Sequence, residues 1–253
     1  MCILFVAINK NQDYPLMIAA NRDEFFARPT AESNFWSDNN NILAGRDLEA
    51  GGSWMGINQG GFLAALTNIR NPQRNNTKAI SRGKLVSNYL TQPSQNYATN
   101  LSQTKDQYNG YNLLFGKWDK LEVYNNHFDQ IVSLTSGIHS LSNEKLDSSW
   151  PKMNKGKSKL ETLCQTQKNI TPENLFDLLF DSNKADDQHL PKTGISLEHE
   201  RRLSPIFILG EEYGTRSSTV LTVDKNQQVN WYERTYNNKA NCLSEKSFHF
   251  NIK

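Results

Sequence analysis

Strand-like runs occupy both ends of this chain while helical periodicity is confined to its middle, and that distribution excludes a regular βαβ alternation. Cys2-Ile3-Leu4-Phe5-Val6-Ala7-Ile8 is apolar, rich in β-branched and aromatic residues, and stops at the polar stretch Asn9 to Asp13, which reads as a buried strand followed by a turn. Leu16 to Ala20 fits as its neighbour and breaks into the quartet Asn21-Arg22-Asp23-Glu24. Four polar side chains at the end of a buried strand need an explanation.

Ser53 to Asn58 and Phe62 to Thr67 flank Gln59-Gly60-Gly61, the signature of a hairpin, with Asn68 just past its second arm. Leu85, Val86, Tyr89 and Leu90 recur at helical spacing, as do Leu175, Leu178 and Leu179 after Thr171-Pro172, an N-cap followed by proline at the first helical position. Weaker periodicity at Tyr97 and Leu101, and at Met153, Leu160 and Leu163 around Gly156, predicts two further helices. Tyr111 to Phe115, Leu121 to Tyr124, Ile206 to Leu209, Ser218 to Val223 and Val229 to Tyr236 complete a strand-rich inventory. The pattern favours a layered α+β fold with mostly antiparallel sheets. Asn39-Asn40-Asn41 and Lys184 to Gln188 read as polar loops rather than linkers, so one domain is expected over 1–253.

The 28 Lys and Arg against 26 Asp and Glu leave a net charge of +2, which argues against a strongly electrostatic binder. The apolar run Ile3 to Ile8 is far short of the about 20 residues of a membrane helix or the roughly 7 to 15 of a signal-peptide core. No stable membrane insertion is therefore expected. The three cysteines, Cys2, Cys164 and Cys242, form no CxxC spacing and suit a reducing, cytoplasmic location.

Cys2 follows Met1 directly, and methionine aminopeptidases cut before small residues. Removal of Met1 gives Cys2 both a thiol and an α-amine, whose pKa near ~7.7 to 8.0 suits it to take the thiol proton. Such a nucleophile needs donors for the oxyanion and a group to hold the amine, for which Asn68 and Asp23 are candidates. The competing reading is a small apolar residue opening a strand. Strand alternation puts Asn21 and Asp23 on one face and Arg22 and Glu24 on the other. One pair would face a ligand, or Arg22 would close the strand end in an ion-pair network.

Met1-Cys2-Ile3, Ala19 to Phe25, Arg28-Pro29, Gly51 to Ile57, Leu63 to Asn68, Arg82 to Val86, Leu141-Ser142-Asn143 and Tyr213-Gly214-Thr215-Arg216 through Asp224, in this order, strongly resemble the NRDE family, also called the transport and Golgi organisation protein 2 family. That family is similar to the N-terminal nucleophile hydrolases, so the resemblance implies a four-layer αββα sandwich of two antiparallel sheets. The choloylglycine hydrolases are closest in pattern. Their mature N-terminal cysteine, the Asp holding its amine, two asparagines serving oxyanion and substrate, and a distal supporting arginine match Cys2, Asp23, Asn68, Asn143 and Arg216. Those hydrolases carry an Arg three residues before the Asp; here Ala20 stands there and Arg22 lies beside Asp23. NRDE proteins are associated with haem trafficking and with lipid or acyl-coenzyme A metabolism.

Two functions follow. The first is cysteine-dependent hydrolysis of a small-molecule amide or thioester, requiring no cofactor. The alternative is a non-catalytic carrier of haem or an acyl-coenzyme A. Arg70, Arg74, Lys78, Arg82 and Lys84 form a run without Asp or Glu that would neutralise phosphates or propionates, although a solvated loop explains the same run. Arg74, Lys78 and Arg82, with Asn21, Arg22 and Glu24, are accordingly the candidate ligand-binding residues. The five histidines are scattered without CxxCH, so none is nominated as a haem ligand; His139 alone lies near a family motif. No Cys or His spacing suggests a metal site, and no nucleic-acid module or phosphate-binding glycine loop is present.

Overall fold

A computed structural model describes residues 2–167 and 169–253. The opening strand β1 (Cys2–Ile8) turns into β2 (Leu16–Phe25), followed by β3 (Thr30–Trp36), β4 (Asn39–Asp47), β5 (Met55–Asn58) and β6 (Phe62–Asn68). Two helices, α1 (Gly83–Thr91) and α2 (Tyr97–Thr104), precede β7 (Tyr111–Lys117), β8 (Lys120–Asn125), β9 (Gln130–Ser133) and β10 (Gly137–Leu141). Then come α3 (Pro151–Thr166), α4 (Pro172–Leu179), α5 (Leu197–Arg202), β11 (Tyr213–Val223), β12 (Gln228–Tyr236) and β13 (Cys242–Asn251).

The strands form two antiparallel sheets, one of six strands in the order β10-β1-β2-β11-β12-β13 and one of seven running β3 to β9 in sequence order. Side-chain alternation then builds four layers. Leu4, Val6, Ile18 and Leu221 of the first sheet meet Met55, Leu63 and Leu114 of the second. On the outer face of the first sheet, Ile3, Phe5, Met17 and Val220 pack against Met153, Leu160, Leu175 and Phe176 of α3 and α4. Ala64, Leu113 and Phe115 of the second sheet cover Leu85, Val86, Tyr89 and Leu101 of α1 and α2. β1 is covered on both faces, which is why its sequence is an unbroken apolar run. Each such fully buried side chain contributes about 1.5 to 3 kcal/mol.

Local signals place several elements. Thr171 caps α4 in a reciprocal box with Asn174, and Pro172 occupies the first turn. Gly61, at φ +79°, makes the β5–β6 turn that a side chain would strain. Gly156 sits in α3 because a Cβ there would lie 2.0 Å from the Phe5 ring.

Two expectations are corrected. Ile206 to Leu209 is not a strand: it is an irregular segment whose Phe207 and Ile208 amides donate to Asp181 O and Thr215 Oγ1, at 2.8 Å each, in place of a ladder. Asn39 to Asn41 opens β4 rather than a loop, since pairing with β3 and β5 overrides the turn preference of asparagine.

Candidate functional site

β2 does not end before its polar quartet. Cys2 lies opposite Arg22 in the β1–β2 ladder, and on the other flank Asp23 lies opposite Thr215 of β11. The cross-strand row Cys2, Arg22 and Ser217 therefore faces the second sheet, whereas Ile3, Asn21 and Ser218 face the helices. This separates the four side chains as alternation requires and gives each a distinct setting.

Cys2 is half-buried and opens onto a cavity of about 430 Å³ together with Arg22, Asp23, Glu24, Asn68 and Arg82. Trp54, Leu66 and Ile80 supply its apolar wall. Burial pushes the Cys2 thiol up; the carboxylates of Asp23 and Glu24 add to the shift and the Arg22 guanidinium opposes it. The Cys2 carbonyl accepts from Ser142 Oγ at 3.2 Å, tying the first strand to the segment after β10.

Asp23 is 1% exposed and accepts from Thr215 Oγ1 at 2.7 Å. Burial raises its pKa, opposed by Lys152, the Thr215 hydrogen bond and Arg70. Arg22 stacks over Trp54 at 4.2 Å and donates to Thr30 Oγ1 at 3.3 Å. Asn21 is structural: Nδ2 donates to the carbonyls of Leu179 and Ile206, and Oδ1 accepts from Ser218, so it lies outside the Cys2 cavity.

Asn143 meets Asn68 through its amide, Nδ2 donating to Asn68 O at 2.9 Å. It lines a neighbouring cavity of about 570 Å³ with Ile69, Arg70, His127 and Trp150, so the Asn68–Asn143 contact links the walls of the two cavities.

Arg216 is not at Cys2. The β2–β11 register shifts between Thr215 and Ser217, making Arg216 an extra bulged residue. Its guanidinium is carried to Phe25 O, Arg28 O and Thr30 Oγ1 and lines a separate cavity of about 140 Å³.

The basic run after β6 also divides. Arg82 enters the Cys2 cavity and donates to Gly110 O at 3.0 Å, with burial lowering its pKa and the Cys2 and Glu24 charges opposing. Arg74 and Lys78 are exposed and outside that cavity. Arg70 turns inward, pairs with Glu200 at 2.6 Å and lies 5.2 Å over Trp150. His139 has both ring nitrogens occupied, by Asp147 at 3.0 Å and Thr135 O at 2.9 Å.

Sequence reasoning passed over Thr215, although it stands in the quoted block beside Arg216, and over Glu200 and Lys152. The last two carry no sequence signal, because charged residues near helix starts are ordinarily solvated.

A family model described as Transport and Golgi organisation 2 matches residues 1–238. The chain belongs to that family. The Transport and Golgi organization 2 homolog of Mus musculus is 34% identical over 258 residues, covering 93% of each chain. The Homo sapiens homolog is 35% identical over 263 residues and 94% of each chain. Among solved structures, a mutant of the conjugated bile acid hydrolase from Clostridium perfringens superposes with a TM-score of 0.53 at 10% identity, covering 100% of this chain and 98% of that one. A second variant of the same hydrolase gives 0.52 at 11% identity. At such identity the likeness concerns fold alone, and the fold of this family member is that of the N-terminal nucleophile hydrolases. Among the described residues no helix is long and apolar enough to cross a membrane.

Proposed function

We propose that this protein is a cysteine-dependent hydrolase of a small amide or thioester, with Cys2 as nucleophile once Met1 is removed. The observation that carries the reading is the placement of Cys2, at the start of β1, opening onto a polar cavity beside buried Asp23 and half-buried Asn68. Cys2 Sγ attacks the carbonyl carbon and its proton passes to the Cys2 α-amine. The tetrahedral oxyanion is stabilised by a donor on the Asn68 side of the cavity. Its collapse breaks the C–N or C–S bond, the leaving group takes the proton from the amine, and water then hydrolyses the acyl-cysteine. Asp23 orients the amine, and Arg82 and Arg22 favour a substrate carrying an anionic group.

The non-catalytic reading, in which the cavity carries haem or an acyl-coenzyme A, draws on Arg82. It also calls on Arg74 and Lys78, which are exposed and outside the cavity, so hydrolysis is preferred. The test is the intact mass of protein from its own host, followed by incubation with an activated acyl ester and peptide mapping. An acyl adduct on Cys2 of the Met1-free chain, absent from Cys2→Ala, is expected. Retention of Met1 on the folded pool, or equal labelling of Cys2→Ala, overturns the reading in favour of ligand binding. In that case an acyl-coenzyme A titration of the Arg74→Glu/Lys78→Glu protein measures whether the basic run takes part.

A further inference from the structure

Lys152 stands in the first turn of α3, where a lysine is ordinarily solvated, yet it is only 4% exposed. Its Nζ donates to Asn143 Oδ1 at 3.3 Å and to Leu203 O at 3.2 Å. Both acceptors are neutral, and among the described residues no carboxylate lies within ion-pair distance of it. A buried ammonium without a counter-charge in contact is costly, so its retention needs a longer-range partner. The charged and titratable groups around it come from every neighbouring element: Cys2 from β1, Asp23 from β2, Arg70 after β6 and Glu200 from α5, with Tyr213 of β11 donating to Asp23 O at 3.1 Å. Glu200 already pairs with Arg70. The negative charges that Lys152 is placed to serve are therefore the Asp23 carboxylate and a Cys2 thiolate.

The same ammonium fixes a side chain. Asn143 Oδ1 accepts from Lys152 Nζ and Arg70 Nη2, at 3.3 Å each. Both donors are cations that cannot accept a hydrogen bond, so the Asn143 amide has one permitted orientation, with Nδ2 on Asn68 O.

We propose that Lys152 is a positioning residue of the Cys2 site: its buried ammonium locks the Asn143 amide against Asn68 and electrostatically favours the Cys2 thiolate and the Asp23 carboxylate. The inference rests on the reading of Cys2 as the reacting thiol. Burial, with Arg70 adding to it, lowers the Lys152 pKa to about 8, so the charge is present at neutral pH and lost in mild alkali.

The test is the iodoacetamide alkylation rate at Cys2, resolved from Cys164 and Cys242 by peptide mass spectrometry, from pH 6 to 10 for the full-length protein and its Lys152→Met and Lys152→Arg variants. A cation worth about one pKa unit at the thiol makes the wild type about tenfold faster than Lys152→Met at pH 7. The ratio falls towards one as Lys152 loses its proton, and Lys152→Arg keeps the advantage into alkali. A ratio that is the same at every pH, with the variants folded by circular dichroism, reduces Lys152 to packing and overturns the proposal. If Lys152→Met does not fold, the comparison of wild type with Lys152→Arg still decides: their ratio must change through about pH 8, and a constant ratio overturns it. Alkylation needs no turnover, so this result is separate from the acyl-ester test. A Cys2 adduct with a pH-independent ratio sinks Lys152 alone, and a pH-dependent ratio without an adduct sinks hydrolysis alone.

Discussion

The end of β2 meets two different environments on its two faces. On the Asp23 face, Thr215 holds Asp23, and beside them Lys152, Asn143, Arg70 and Glu200 are joined by hydrogen bonds and one buried ion pair. On the Arg22 face, towards the second sheet, charge is looser. Arg22 rests on Trp54, while Glu233 of β12 keeps Oε1 on the Ser33 amide at 2.6 Å and Oε2 without a hydrogen bond among the described residues. The contrast teaches that burial alone does not make a network. Groups on the helix side share hydrogen-bond partners with one another, whereas Glu233 between the sheets is held by a single backbone amide.

The contrast is broken most sharply at the ion pair. Arg70 and Glu200 side chains are 6% and 3% exposed, and Glu200 Oε1 also holds the Thr193 amide and hydroxyl. Glu200→Gln breaks this buried pair by removing the carboxylate charge facing Arg70, so chemical denaturation is expected to show a loss of about 3 to 5 kcal/mol. A loss below about 1 kcal/mol would mean that the helix-side network carries no more than a surface pair does.

Glu233 tests the other face with the opposite sign. Burial pushes its carboxyl up to about 7 from an ordinary 4.5. Because the folded value is the higher one, this group's contribution is fully present below pH 4.5 and is lost as pH rises through 7. A shift of that size amounts to about 3 kcal/mol between acid and pH 8. Glu233→Gln keeps an acceptor for the Ser33 amide and removes the titration. It is expected to be more stable than the wild type at pH 8 and to lose that advantage near pH 4. Equal pH slopes in the two proteins would show that Glu233 ionises without cost.

A smaller effect belongs to Thr215, whose hydroxyl donates to Asp23 Oδ1 and accepts from the Ile208 amide at 2.8 Å. Thr215→Val removes the hydroxyl that both Asp23 Oδ1 and the Ile208 amide use, and a loss of about 1 to 3 kcal/mol is expected in thermal or denaturant unfolding. If stability is unchanged, the order on the Asp23 face comes from the ion pair alone.

How much of this was legible in the sequence depends on what kind of signal each residue leaves. Period-two alternation correctly separated Asn21 from Arg22, and the apolar runs located β1, β2 and the β5–β6 hairpin, because a face buried on both sides writes itself into composition. β3 and β13 were missed, since exposed polar residues interrupt their apolar positions and only pairing makes them strands. The family blocks led to Cys2, Asp23 and Asn68, which share one cavity. Lys152 was invisible because burial of a lysine depends on α3 docking against the Asn143 and Leu203 segments, a tertiary event with no local pattern.

Arg216 is the residue on which sequence and structure part most clearly, and it supplies the gentlest test. One inserted residue in β11 reverses which way a strand side chain points, and nothing in Thr215-Arg216-Ser217 announces the bulge. The guanidinium consequently serves the turn after β2, with Phe25 O, Arg28 O and Thr30 Oγ1 as acceptors, on the side of the sheet where contacts are loose. These acceptors border solvent, so their loss is partly made good by water. Arg216→Met is therefore expected to cost about 1 kcal/mol in denaturant unfolding and to leave the Cys2 alkylation rate unchanged at every pH. If the rate instead falls as it does in Lys152→Met, the Arg216 charge reaches Cys2 across the sheet, and the two faces of β2 act on the thiol together rather than separately.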